Sequence, residues 1–399
     1  MRQRIHSIDL LRGLVMVIMA LDHVRDFLYF PGSTTDTSGL VMDPTNLDTT
    51  TPVLFFTRWI THFCAPVFIF LSGMSAYLAS RRRTPKDAAF FLIKRGLWLI
   101  LLEITVVTFS WSFDPGYKLI FLQVIWAIGA SMVLLGILSG FARPGLIFAL
   151  GCLIVCGHNL LDVFPPSESF RDSVLGYLSF HALFSYVPLT ETMGLVVVYS
   201  LIPWFGVMCL GFGFGQWYSG MADKVARSWK LVQAGLLLTL CFIVLRAINI
   251  YGDPTPWSVQ PRGALFTVLS FINTNKYPPS LLYLLMTLGP ALIFLGVVER
   301  SKIRATNPFV VVGRVPLFYY VLHFYLLHLM AVVVFYAKGF GAADIVTPGM
   351  PFNFIPPGLG FGLPGVYLCW ILLVAMLYPL CAWYNRFKSS HSYWWLSYV

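Results

Sequence analysis

The sequence predicts an all-α polytopic transmembrane helix bundle of about ten spans, and three observations carry that expectation. Of its 399 residues 58% are hydrophobic and only 11% charged. The mean hydropathy is +0.76. The basic residues stand in short clusters between long apolar runs. A soluble domain keeps about a quarter of its residues charged, so this chain has too few charges to coat a water-facing surface. A net charge of +10 could suggest nucleic acid, but the cations form neither a face nor a tail. Their placement is that of topology signals instead.

A span needs about 20 mostly apolar residues. Runs of that kind place the spans at 8–30, 52–80, 95–113, 118–140, 145–164, 194–219, 231–251, 279–299, 307–336 and 363–386, with polar or Pro/Gly-rich segments between them. The first is interrupted by polar residues and lacks a following small-residue cleavage site, so it reads as a retained helix rather than a signal peptide. One membrane domain over residues 1–399 is expected, without internal repeats or low-complexity segments.

Orientation follows from Lys and Arg. With a cytoplasmic N-terminus, 18 of the 27 Lys and Arg fall at inner ends, among them Arg2, Arg4, Arg12, Arg81–Arg83, Lys94 and Arg95. The outer side carries 8, and Arg314 lies inside a span. This asymmetry places both termini in the cytoplasm of a cell inner (plasma) membrane. It leaves the long loops 31–51, 165–193, 252–278 and 337–362 outside, where a large polar substrate would be handled. The inner clusters Arg81–Arg83 and Lys94–Arg95 suit anionic lipid and topology first, and coenzyme A phosphates second.

The seven cysteines lie almost wholly in apolar runs without a CxxC, so they read as small core residues. His323 and His328 are five apart, about 140° around a helix, and cannot form an i,i+4 metal pair. No metal is expected. The glycines of Gly211-Phe212-Gly213-Phe214-Gly215 follow no strand and suit close helix packing rather than a nucleotide loop.

Chemistry concentrates in the first span: Ser7-Ile8-Asp9-Leu10-Leu11-Arg12-Gly13, an apolar run, then Asp22-His23-Val24-Arg25-Asp26. Ionisable residues inside a span are costly and mark function by default. Arg12 and His23 are eleven residues apart, nearly three turns, so they share one face about 16 Å apart along the axis. Asp22 and Asp26 flank His23, and a carboxylate beside an imidazole can fix its tautomer and raise its basicity. The plainer reading makes Arg12 a positive-inside anchor neutralised by Asp9, and the 22–26 stretch a hydrated helix end. His62, in Thr61-His62-Phe63-Cys64-Ala65-Pro66, is the second candidate, with Arg58 four residues earlier and able to hold an anionic group. Glu103 and Arg246 are expected to serve structural pairing.

Arg12, ten intervening residues and His23 reproduce the Arg-x10-His pattern of bacterial membrane acyltransferases that acetylate surface glycans. The fuller Ser7-Ile8-Asp9-Leu10-Leu11-Arg12-Gly13 resembles the entry of the heparan-α-glucosaminide N-acetyltransferase family. Pro66–Gly73 is similar to the second span of that family. Asn273-Thr274-Asn275-Lys276, with Ser280, Tyr283, Thr287 and Gly289, is similar to its Asn-Lys segment, and Tyr319–His323 to its Tyr-Val-x-His. The resemblance implies an acyl-CoA donor loaded from the cytoplasm, an acceptor outside, and passage of an acetyl group through the protein. The departures are that loop 31–51 has no histidine where the lysosomal enzyme has one, that Asp22 stands for an Asn, and that His62 stands for an Asp.

The expected function is therefore acyl transfer, with acetyl-CoA as donor and an extracytoplasmic glycan or glycolipid hydroxyl or amine as acceptor. His23 is the expected base, with Asp22 or Asp26 orienting it and His62 a further catalytic candidate. Arg12, Asn273, Asn275, Lys276 and His323 are the candidates for the donor side, the Asn-Lys group as a source of oxyanion hydrogen bonds. The rival reading is a transporter or channel for a small organic anion, using the same Arg and His residues to bind or relay protons. A third is an export partner without activity of its own. A homodimer is compatible with any of these.

Overall fold

The computed structural model describes residues 5–30, 43–171, 173–179, 185–221, 223–347 and 351–397. Arg2, Arg4 and residues 31–42 of the first outer loop lie outside them.

The chain is an all-α polytopic helical membrane protein. Six described helices are long and apolar enough to cross a membrane: Pro52–Ser80, Pro144–Val163, Lys224–Ile248, Leu281–Glu299, Pro316–Ala337 and Leu363–Ser390. The other four expected spans are also largely helical, over His6–Leu28, Pro85–Leu102 continuing to Ser112, Val124–Ser139 and Leu201–Gly220. His6–Leu28 is not among the six: Asp9, Arg12, Asp22, Arg25 and Asp26 make it more charged than they are. Helix starts follow local chemistry. The Thr51, Thr84 and Asn307 side chains cap the backbone N–H groups of Leu54, Asp87 and Phe309, each ahead of a proline at the first helical position.

Three departures from the sequence reading are local. The second span narrows to a 3-10 turn over Ile60–Phe63, which carries His62. Glu103–Val107 forms a π turn within the third. The ninth breaks at Arg314-Val315, because Pro316 lacks an N–H and disfavours a helical residue before it. A small sheet of Leu119–Leu122, Gly194–Val197 and Ser185–Pro188 takes what the hydropathy pattern assigned to two span starts and a loop. In it Ser185 pairs antiparallel with Val197 and Pro188 with Gly194.

The chain forms two compact units. The first comprises Met1–Cys64, Thr105–Leu119 and Arg304–Val399. In it His6–Leu28 packs on Pro308–Gly313, Pro316–Ala337 and Leu363–Ser390. The second comprises Ala65–Ile104 and Ile120–Ile303. Its helices pair as Lys224–Ile248 with Leu281–Glu299, Pro85–Leu102 with Val124–Ser139, and Pro144–Gly157 with Leu201–Gly220. Small residues let these backbones approach. A Cβ added at Gly211 would come 2.0 Å from the Phe70 carbonyl oxygen, and one at Gly213 2.5 Å from the Phe148 ring. The Gly-Phe-Gly-Phe-Gly run is thus a packing device.

Candidate active site

The first unit gathers the ionisable residues of the first helix around one histidine pair, His23 half-buried and His323 buried. His6–Leu28 runs unbroken, so Arg12 and His23 stand on one continuous helix. Near its end Asp22 forms an ion pair with Arg25 at 2.8 Å and accepts a hydrogen bond from Arg58. Arg25 also reaches Asp26 at 2.5 Å. Asp22 is therefore engaged by arginines, while the Asp26 carboxylate lies 3.8 Å from His23 Nδ1. Arg58 spends its charge on Asp22 rather than standing open to an external anion. Two carboxylates and two guanidiniums, largely shielded from water, balance one another beside the imidazole.

The far side of His23 is aromatic. Its ring lies 5.2 Å from Trp111, edge-on, and 4.5 Å from Phe324. His323 lies 5.3 Å away, centroid to centroid. His323 is completely buried. Its Nδ1 faces the carbonyl oxygens of Tyr319, at 3.2 Å, and Tyr320, one turn back on its own helix. Carbonyls only accept, so Nδ1 carries the proton and Nε2 holds the lone pair in the neutral ring. Nε2 has no hydrogen-bond partner among the described residues. His328, five residues on, is held differently. Both its nitrogens face carbonyls, Ser110 at 3.1 Å and Asn353 at 2.9 Å, and its ring stacks on Phe113 at 3.7 Å. It clamps the 351–354 segment to the Thr108–Ser112 helix.

His62 is 3% exposed on its 3-10 turn, which packs on the first helix. At the other end of that helix, Arg12 Nη1 donates to Asp9 at 3.2 Å and to the Gly313 carbonyl at 3.1 Å. Arg314 Nε lies 3.7 Å from the same Asp9 carboxylate, and its Nη2 lies 3.2 Å from His6 Nε2. Two guanidiniums thus converge on one carboxylate.

Asn273, Asn275 and Lys276 belong to the second unit, in a polar knot of their own. Arg246 donates to the carbonyls of Thr255, Ser270, Phe271 and Asn273. Asp253 accepts from Asn275 N–H at 2.9 Å and Ser280 Oγ at 2.7 Å. The Asn275 amide donates to the Pro278 carbonyl at 3.0 Å. Lys276 Nζ sits 5.0 Å from the Tyr277 ring centre. Burial pushes the Asp253 carboxyl above the usual carboxylate range, against the pull of Ser280, Asn275, Thr255 and Arg246. Arg246 thereby serves structural pairing. Glu103, also in this unit, accepts from the Gln123 N–H at 2.7 Å.

His23, its carboxylates and His323 are legible in the sequence; the pairing of the two rings and the walls supplied by Trp111 and Phe324 are not. Nothing in local spacing signals a meeting of residues 300 positions apart. No cluster of three or more His, Cys, Asp or Glu suited to a metal occurs among the described residues.

A family model described as heparan-alpha-glucosaminide N-acetyltransferase, catalytic, matches residues 4–252, well over half of the chain. No curated protein matches the sequence. The matched span includes Arg12, Asp22, His23, Asp26 and His62, and it stops before Asn273, Asn275, Lys276 and His323.

Proposed function

The chain belongs to the heparan-alpha-glucosaminide N-acetyltransferase catalytic family, and from that premise we propose that it moves an acetyl or related acyl group from cytoplasmic acyl-CoA to a hydroxyl or amine of an extracytoplasmic glycan or glycolipid. The observation that supports this most is His23, set between the Asp26 carboxylate and an aromatic wall on the helix that opens the family match. A general base needs a lone pair, a fixed orientation and restricted access of water. Asp26, 3.8 Å from Nδ1, is the carboxylate placed to attract the ring once it takes the proton. Asp22, held by Arg25 and Arg58, fixes the helix end that presents it. His62, on the turn against the same helix, is the second candidate for contact with the acceptor.

Arg12 is the proposed donor-side residue, at the cytoplasmic end of the same helix, where a guanidinium can pair with a phosphate of coenzyme A. Lys276 carries the remaining donor-side proposal of the second unit. The Asn273 carbonyl accepts from Arg246 and the Asn275 amide donates to the Pro278 carbonyl. The bias of 18 inner against 8 outer cations supports cytoplasmic termini in a cell inner membrane.

The test is purified protein in lipid nanodiscs with radiolabelled acetyl-CoA and a panel of amino and neutral sugars. Thioester consumption matched by acetylated sugar is expected, and His23→Ala lowers it by about 10² or more while the protein stays folded. Organic-anion flux in liposomes without thioester turnover would overturn the enzyme reading in favour of a transporter.

A further inference from the structure

Nε2 of His323 has no hydrogen-bond partner among the described residues. A buried lone pair without a donor is costly, and native proteins rarely leave one so. At His328 a carbonyl faces each nitrogen; at His323 carbonyls face one nitrogen only. Its Nδ1–H is pinned to two carbonyls of its own helix, which fixes the tautomer and leaves Nε2 as a base. The group beside it is another imidazole, that of His23, with centroids 5.3 Å apart. Phe324 touches both rings, at 4.5 Å from His23 and 4.1 Å from His323. Tyr320 lies edge-on to His323 at 5.4 Å. The pair sits in a largely apolar cage, with Asp26 at its polar edge.

We infer that His323 is a second proton-carrying group of the reaction: it shares with His23 the single proton that moves from acceptor to donor sulfur. The inference rests on the acyl-transfer reading. In each turnover the acceptor's O–H or N–H bond breaks and its oxygen or nitrogen bonds the acyl carbon. The C–S bond of the thioester breaks, and its electron pair leaves on sulfur. His23 takes the acceptor's proton. Nε2 of His323 shares it, and the proton ends on the thiolate, so both rings finish neutral and no other reactant is consumed. Two adjacent cations in such a cage are disfavoured, so the pair holds one proton at a time and titrates as a unit. The family match ends before residue 323, so this role comes from the geometry alone.

The decisive variant is His323→Asn, whose amide can still donate toward the Tyr319 and Tyr320 carbonyls but offers no basic nitrogen where Nε2 stood. His323→Gln is the second variant, should the first fold poorly. Turnover is expected to fall about 10- to 100-fold with the acetyl-CoA KM unchanged. The rate in mixed H2O and D2O should change from a curved, two-proton dependence to a straight, one-proton one. Unchanged curvature in a folded variant would overturn the inference and leave His323 a packing residue. A readout that needs no turnover is 15N NMR of histidine-labelled protein without substrate. The expected result is a lone-pair Nε2 on His323 whose signal moves when His23 is replaced by Gln. A His323 signal indifferent to His23 refutes the shared proton even if the protein transfers acetyl groups. Conversely, a coupled pair in a protein without thioester turnover sinks the acyltransferase reading, and the role assigned here with it.

Discussion

Gly13 and Gly313 meet at a crossing with no room for a side chain. A Cβ on Gly13 would come 1.8 Å from the Phe309 carbonyl oxygen, and one on Gly313 would come 1.9 Å from that of Asp9. The same approach brings the Gly313 carbonyl to Arg12. The glycine of the Ser-x-Asp-x-x-Arg-Gly stretch is therefore a packing requirement that sets the position of the arginine before it. Gly13→Ala and Gly313→Ala should each cost about 1–3 kcal/mol, or more where backbone must shift. Loss of monodisperse protein in detergent, or a clear fall in the thermal midpoint, checks this. Gly145→Ala is the control, since nothing lies within 4 Å of its added Cβ.

The shared carboxylate of Asp22 yields a second expectation. Arg58→Ala takes one guanidinium from Asp22 and leaves that of Arg25, and breaking a buried pair costs on the order of 3–5 kcal/mol. The effects of Asp22→Ala and Arg58→Ala should not add, because they remove the same contact. Asp26→Asn, by contrast, should lower acetyl transfer with little loss of stability. A double-mutant cycle on thermal unfolding, read beside turnover, separates the roles. If Asp22→Asn, still fully stable, abolishes turnover while Asp26→Asn does not, the orienting carboxylate has been assigned to the wrong residue.

The helices were legible because bilayer crossing imposes a length and a hydropathy that survive in any run of residues. Their breaks were less so. Pro316 announces one, but nothing in Ile60–Phe63 or Glu103–Val107 announces a 3-10 or a π turn. The site was legible where it is local. Asp22, His23 and Asp26 declare themselves because charge inside a span is costly. His323 meeting His23 was not, because Pro316–Ala337 is apolar on most sides and offers no polar stripe to point its face. The Asn273–Lys276 segment draws attention through its likeness to the family's Asn-Lys segment, yet much of its polarity closes a loop around Asp253 and Arg246.

That loop carries its own pH dependence. The folded-state pKa of Asp253 is raised, first by burial, so the folded protein binds more protons than the unfolded chain between the two pKa values. Stability from this group is greatest below the unfolded value, about 4. It falls as pH rises through that interval and is flat above the folded value. Asp253→Asn should remove this component. The difference in thermal midpoint between variant and parent should shift in the variant's favour as pH rises from about 4. A difference independent of pH over that range would mean that Asp253 titrates as an ordinary carboxylate.

Arg12 carries the last expectation, and it divides into two measurable parts. Its Nη1 holds Asp9 and the Gly313 carbonyl, so Arg12→Ala should destabilise the first unit whatever the donor does. The functional part is separate. A guanidinium binds phosphate through a planar fork and an ammonium only as a point charge. Arg12→Lys should therefore keep most of the stability, since one donor can still reach Asp9, while weakening acetyl-CoA binding. Arg12→Ala should weaken it further, by very roughly 2–4 kcal/mol if the contact is desolvated. Affinity for the acceptor sugar should hardly change, because in the proposed topology the sugar arrives from the opposite side. Calorimetry of acetyl-CoA binding to each folded variant in detergent measures this directly. Unchanged donor affinity in folded Arg12→Ala would reduce Arg12 to the partner of Asp9 and Gly313. The phosphate would then have to be sought at a neighbouring cation, with Arg314, which shares the same carboxylate, the first to test.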